Sequence, residues 1–185
     1  MCVYFKESGS HNTDEVLRLA KEKAKELSIK NILAATTSGK TGAKASELFQ
    51  GYNLVVVTHS AGFSSPNTQE LLPENKDLIV HYGGKLLTCQ HAFGGVGRAV
   101  RRSFNTYQME EIIASTLRTF GQGTKVAIEI SLMAADAGLI RTDEEAISIG
   151  GSDHGADTAL ILLPANAQDF FKLQVLEIIC KPRKI

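Results

Sequence analysis

Tyr52-Asn53-Leu54-Val55-Val56-Val57-Thr58 places four aliphatic residues in a row between polar neighbours. A strand with one wet face would alternate apolar and polar residues. A continuous run implies that both faces are covered, as in a parallel sheet with helices on each side. Working upstream, Asn31–Thr36 reads as a second short buried strand, and Gly42–Phe49 as a helix with Ala45, Leu48 and Phe49 inward. Before them, Thr13 offers a helix N-cap. Asp14 and Glu15 sit in the positive first turn, and Val16, Ala20, Ala24 and Leu27 recur at helical spacing. Cys2–Phe5 reads as a short strand or an extended arm.

Downstream, Pro66 to Tyr82 is a loop passing into a helix that Pro73 can start, closed by Gly83-Gly84. Lys85–Thr88 is a short strand. Three helical stretches follow, Val96–Ser103, Gln108–Phe120 and Thr124–Ala137, the last two separated by Gly121-Gln122-Gly123. Ala146–Ile149 and Thr158–Leu163 read as strands, and Val175–Cys180 as an edge strand. Strands alternating with helices predict a three-layer α/β fold with a mostly parallel sheet. The loop Gly150–Asp157 has only eight residues. A parallel crossover needs about a dozen or more, so the C-terminal edge strands are expected to be antiparallel. No repeat, linker or shift of composition marks a boundary, and residues 1–185 are read as one domain.

Composition narrows the function. Twenty Lys and Arg balance twenty Asp and Glu. A nucleic-acid or membrane-surface protein would carry a basic excess, so neither partner is expected. Lys181, Arg183 and Lys184 read as a solvated tail. Cys2, Cys89 and Cys180 are far apart and form no C-x-x-C pair, which fits buried thiols in a reducing compartment. No apolar run approaches the ~20 residues of a membrane span, and the first residues lack signal-peptide character, so the cytoplasm is expected. His59, His81 and His91 show no metal-ligand spacing, and no metal site is expected.

The sharpest chemical signal is Thr36-Thr37-Ser38-Gly39-Lys40-Thr41, between a strand and a helix. Hydroxyls, a glycine that lets backbone approach, and the free amides of a starting helix together suit a phosphate. The bland alternative is a capped turn, for which a single Thr or Ser would suffice. Gly39-Lys40-Thr41 is not a Walker A loop, because the first glycine of that motif would fall at Ala34, inside the strand. Gly94-Gly95-Val96-Gly97 lacks the third small residue of a dinucleotide fingerprint, position 100 being Val100, and is kept as possible lining of the site. His59 and Ser60 follow the Leu54–Val57 run, so they can reach a ligand at the carboxyl end of the sheet. In the second glycine loop, Gly150-Gly151-Ser152-Asp153-His154-Gly155-Ala156-Asp157-Thr158, three glycines are more than a hairpin requires. Asp153 and His154 read as solvated turn residues. Leu132-Met133-Ala134-Ala135 and its neighbours read as helix core. No G-x-S-x-G elbow is present, and no catalytic residue is assigned.

With both loops in hand, the chain resembles the C-terminal α/β domain of pyruvate kinase. It resembles more closely a family of stand-alone, mostly archaeal, uncharacterised proteins related to that domain. The resemblance rests on Ala34 through Ala43, Leu54 through His59, Ala114 through Gly123, Ala134 through Ile140, and Ile149 through Thr158. In pyruvate kinase this domain binds a regulatory sugar bisphosphate and carries no catalysis. Thr37, Ser38, Gly39, Lys40 and Thr41 match its phosphate loop. Gly150, Gly155 and Thr158 match its late loop more loosely, since Ala156-Asp157 departs from the usual small-polar pair. The two loops, the strand end and the resemblance together predict a site formed by Thr36–Thr41, His59, Ser60, Gly150, Gly151, Gly155, Ala156, Asp157 and Thr158. For the stand-alone family it implies flavin mononucleotide (FMN) as occupant. The expected function is therefore binding of a phosphate-bearing small molecule. The alternatives are a flavin-dependent oxidoreductase and a sensor module for a sugar phosphate. Because pyruvate kinase uses this domain in subunit contacts, a homo-oligomer is also plausible.

Overall fold

Successive side chains of a strand face opposite ways, so the run at Leu54–Val57 must divide between two cores. The computed structural model, which describes residues 2–184, places Leu54 and Val56 in one apolar cluster and Val55 and Val57 in another. The elements in chain order are β1 (Val3–Phe5), α1 (Thr13–Glu26), β2 (Asn31–Thr36), α2 (Lys40–Leu48), β3 (Asn53–Thr58), α3 (Pro73–His81) and β4 (Lys85–Leu87). There follow α4 (Val96–Phe104), α5 (Met109–Arg118), α6 (Gln122–Asp136), β5 (Ala146–Gly150), β6 (Thr158–Leu163) and β7 (Gln174–Pro182). Short 3-10 turns at Ser10–Asn12 and Ala167–Lys172 complete the chain. No helix among the described residues is long and apolar enough to cross a membrane.

The seven strands form one sheet in the order β1-β7-β6-β5-β2-β3-β4. Its β5-β2-β3-β4 ladders and the β1-β7 ladder are parallel, whereas β6 is antiparallel to both β5 and β7. This is the expected three-layer arrangement. On one face lie α1, α2 and α3, whose Val16, Ala20, Ala45, Phe49 and Ile79 pack on Ile32, Ala34, Val56 and Ile149. On the other lies α6, whose Ile130, Met133 and Ala134 pack on Leu33, Val55 and Val57, and whose Ala127, Ile128 and Leu132 pack around Leu160.

Five local readings need correction. β7 is not an edge strand, because β1 pairs along it from Val3 with Cys180 to Phe5 with Pro182. α2 begins at Lys40, two residues before Gly42. Gly39 turns the chain with φ +93°, and the Gly39 carbonyl accepts the Ala43 amide. Thr13 is the first residue of α1 rather than its cap, and its hydroxyl accepts the Ala156 amide of the late loop at 3.0 Å. Leu27 lies outside α1 and is exposed, while Lys181 belongs to β7 and donates to the Phe120 carbonyl at 2.6 Å. The cysteines form no disulfide. Burial pushes the Cys180 thiol up to about 12 and raises Cys89, so both behave as small apolar groups at neutral pH.

Candidate functional site

Parallel pairing brings successive strand ends to one edge. Thr36 is in register with Thr58, and Ala34 with Ile149, so the loops after β2, β3 and β5 emerge together. β2 is also where the strand order switches, with β3 on one side and β5 on the other. Over these ends lies a cavity of about 950 Å³. Its walls include Thr36, Thr37, Ser38, Lys40 and Thr41 from the early loop, His59 after β3, and Gly151 through Gly155 from the late loop. The two loops thus face one space.

The early loop is held rigidly. The Thr36 hydroxyl oxygen accepts the Gly39 amide at 3.1 Å and the Gly42 amide at 3.4 Å. The Ser38 carbonyl accepts Asn75 Nδ2 at 2.8 Å and the Leu72 amide at 3.1 Å, which ties the loop to the start of α3. Gly39 faces α3 rather than the cavity, and a Cβ there would come within 2.5 Å of Asn75 Cβ and 2.6 Å of Leu71 Cδ1. The amides of Lys40 and Thr41, the first two of α2, have no acceptor among the described residues. Thr36 therefore does the work of a cap, which leaves Ser38, Lys40 and Thr41 to face the cavity.

The remaining expected residues divide sharply. His59 lines the cavity, and its Nδ1 lies 2.8 Å from Glu70 Oε2. Ser60 does not line it. Its amide donates to His91 Nε2 at 3.4 Å. Gly151 and Gly155 line the cavity, but Gly150 lies against the Gly123 carbonyl of α6. Ala156, Asp157 and Thr158 are buried behind the loop. The Asp157 carboxylate accepts the Gly9 amide at 3.2 Å, the Ser152 amide at 3.1 Å and the Thr158 hydroxyl at 2.8 Å. These three residues shape the late loop from within and do not touch its contents. Asp153 and His154, expected to be solvated, are exposed and also line the mouth.

Among the lining residues not assigned from sequence are Phe63, His91, Arg98, Arg118, Lys125 and Glu129. Lys125 and Glu129 are 5% and 3% exposed and form an ion pair one turn apart on α6. Glu129 also accepts the Phe93 amide at 3.0 Å, and His91 Nδ1 stands 3.7 Å away. Burial favours the neutral carboxyl, but His91 and the Lys125 ammonium outweigh it and hold Glu129 at about 2. Burial lowers Lys125, an effect only partly offset by Glu129. Phe63 stacks on His91 at 4.9 Å between centroids, with His59 4.1 Å away on the same ring and the Arg98 guanidinium 5.0 Å from its centre. Of the cavity cations, Lys40, Arg98 and Arg118 have no carboxylate partner among the described residues, whereas Glu70 and Glu129 are both engaged. The space is thus lined by surplus positive charge, with an aromatic wall at one side. Gly94–Gly97 stay out of the cavity, and Arg98 is what their helix contributes. Val126, Ile130 and Met133 of α6 form its floor, so that helix serves the core and the cavity together.

Among solved structures, a pyruvate kinase from Cryptosporidium parvum matches with 14% identity and a TM-score of 0.41, over 82% of this chain and 23% of that one. Cryptosporidium parvum pyruvate kinase in complex with ADP matches with 17% identity and a TM-score of 0.39, over 80% of this chain and 22% of that one. The chain therefore spans about a quarter of the length of those enzymes. Residues 14–162, which run from the first turn of α1 to the end of β6 and include the loops after β2, β3 and β5, match the family described as "Pyruvate kinase, alpha/beta domain", and the chain belongs to that family.

Proposed function

We propose that the chain binds a phosphate-bearing small molecule in the cavity at the carboxyl edge of its sheet. The observation that carries this reading is the start of α2. Two amides without acceptors, two hydroxyls and an unpaired lysine face the same space there. A phosphate at a helix N-terminus gains about 0.3–1 kcal/mol from the helix dipole when exposed and up to ~2 when partly buried. Each charge-assisted hydrogen bond adds roughly 1.5–3 kcal/mol. FMN is the ligand we put forward. Its single phosphate suits the α2 terminus, and Phe63, stacked with His91, offers a flat wall to a ring.

The chain would act in the cytoplasm and self-associate, and light scattering reads the second point directly, since a monomer mass at micromolar concentration contradicts it. An oxidoreductase using the same flavin is the second reading. It is favoured by the His59–Glu70 and His91–Glu129 pairs, which set imidazoles beside carboxylates at the cavity wall. A sensor of sugar phosphates is favoured by the surplus of cations. Titration of wild type with FMN and with riboflavin separates phosphate recognition from ring recognition. Ser38→Ala/Thr41→Ala should lose at least tenfold in FMN affinity and leave weak riboflavin binding almost unchanged. Equal losses for both ligands, or none, would show the loop to be only a helix cap.

A further inference from the structure

Behind the wall formed by Arg98 and Arg118 lies a second hollow of about 310 Å³, lined by Phe93, Arg98, Arg101, Arg102, Tyr107, Glu111, Ala114, Ser115 and Arg118. It is built by α4 and α5, and four of its nine residues are arginines. Like charges gathered on two short helices repel one another, and nothing in the core requires them. α4 buries no residue at all. Glu111 is the one carboxylate in the lining, and it is engaged by Arg101 Nε at 2.6 Å. The neighbouring Glu110 turns toward Gly97 in the first turn of α4. Arg118 spends its Nε on Gln122 Oε1 at 2.7 Å, a neutral partner, and Arg98 lies over Phe63. Arg98, Arg102 and Arg118 therefore have no carboxylate partner among the described residues.

We infer that this hollow is a second anion site, separate from the α2 terminus, which takes the diphosphate group of a ligand. Four guanidinium groups facing one carboxylate leave about three positive charges uncompensated. Orthophosphate neutralises at most two of them near neutral pH, whereas a diphosphate carries about three. Guanidinium forks are also the side chains best shaped for paired hydrogen bonds to phosphate oxygens. Tyr107, exposed at the rim with the Arg101 guanidinium 5.9 Å from its ring, offers a face to a base attached to the diphosphate. Arg98 and Arg118 border the larger cavity as well, so an anion in the hollow lies one side chain away from whatever occupies that cavity. This inference stands without the FMN reading.

Arg102 lines the hollow and not the cavity, and it is exposed, so it can be changed without disturbing the core or the α2 terminus. Calorimetric titration of the intact protein with inorganic pyrophosphate, ADP and orthophosphate is the test, repeated on Arg102→Glu and Arg102→Lys. The inference expects pyrophosphate or ADP to bind wild type at least tenfold more tightly than orthophosphate. Arg102→Glu should lose that binding by tenfold or more with an unchanged melting temperature, and Arg102→Lys should retain part of it. Pyrophosphate bound without ADP would point to the free anion, and ADP bound more tightly would point to a nucleotide; both support the site. Absence of binding by either, equal affinity for orthophosphate, or undiminished binding in Arg102→Glu would overturn it.

Discussion

Lys125 and Glu129 hold opposite charges in the buried wall of the cavity, and the protein's response to losing one of them reports how much the pair matters. Removing one partner strands the other as an uncompensated buried charge, at a cost of about 3–5 kcal/mol, whereas replacing both with apolar residues of similar size is often neutral. Lys125→Met should therefore lower the denaturant-unfolding free energy by about that amount, and Lys125→Met/Glu129→Leu should recover most of it. A double variant as unstable as the single one would count against the pairing. The pH dependence has a definite sign. Glu129 is held at about 2 in the folded chain, below its ordinary 4.5, so its stabilising contribution is complete above about 4.5 and is lost as pH falls toward 2. The stability difference between wild type and Glu129→Gln should shrink across that interval, and a difference that stayed constant would show that the carboxylate is not held low. Lys125 is shifted down by burial, so the unfolded chain holds that proton more tightly and stability gains as pH rises toward the ordinary lysine range. This pair was the one unassigned part of the site with a signal in the sequence: two charges at i and i+4 in the run from Lys125 to Ala135, which is otherwise apolar apart from Ser131. Phe63, His91, Arg98 and Arg118 gave none, because they come from separate segments and meet only through packing.

At the scale of elements, the late loop is organised from beneath by one carboxylate. Asp157 is wholly buried and satisfies two backbone amides, one from Gly9 and one from Ser152. Asp157→Ala leaves those donors without a partner, which costs roughly 1–3 kcal/mol each where they stay dry. The variant should be less stable and should be cut by protease within Ser152–His154 faster than wild type. Unchanged cleavage would mean that the loop is held by other contacts. Gly155→Val is not a neutral probe of ligand contact. Gly155 sits at φ +75°, and a Cβ there would come within 2.6 Å of Ser10 Cα. Calorimetry should show stability and ligand affinity falling together in that variant; lost affinity at unchanged stability would place the glycine at the ligand alone. Element identity was largely readable in the sequence where period and loop length decided it. The short loop between β5 and β6, read as Gly150–Asp157, forced an antiparallel turn, and the Leu54–Val57 run required two covered faces. The position of β7 was not readable, since three residues at the opposite end of the chain cover its edge. The start of α2 was misplaced because Gly42 resembles a helix opening, while the left-handed turn that begins the helix is at Gly39.

At the scale of the whole molecule, β1 and β7 lie at one end of a single sheet whose other end is β4, so the two termini of the described chain are locked into the same core as its middle. Unfolding should be one cooperative transition, with far-UV circular dichroism and tyrosine fluorescence giving coincident midpoints. Separate midpoints would show that the α4–α5 region or the β1–β7 edge melts on its own. The same architecture makes the site: parallel ladders collect the loops after β2, β3 and β5, and α6 closes the space with Lys125 and Glu129. A crystal structure of the protein soaked with FMN tests the central claim most directly. The account predicts phosphate density at the start of α2, within hydrogen-bond distance of the Lys40 and Thr41 amides and the Ser38 hydroxyl, with the ring directed toward Phe63. FMN bound elsewhere, or bound in the cavity with its phosphate turned away from Ser38–Thr41, would contradict it.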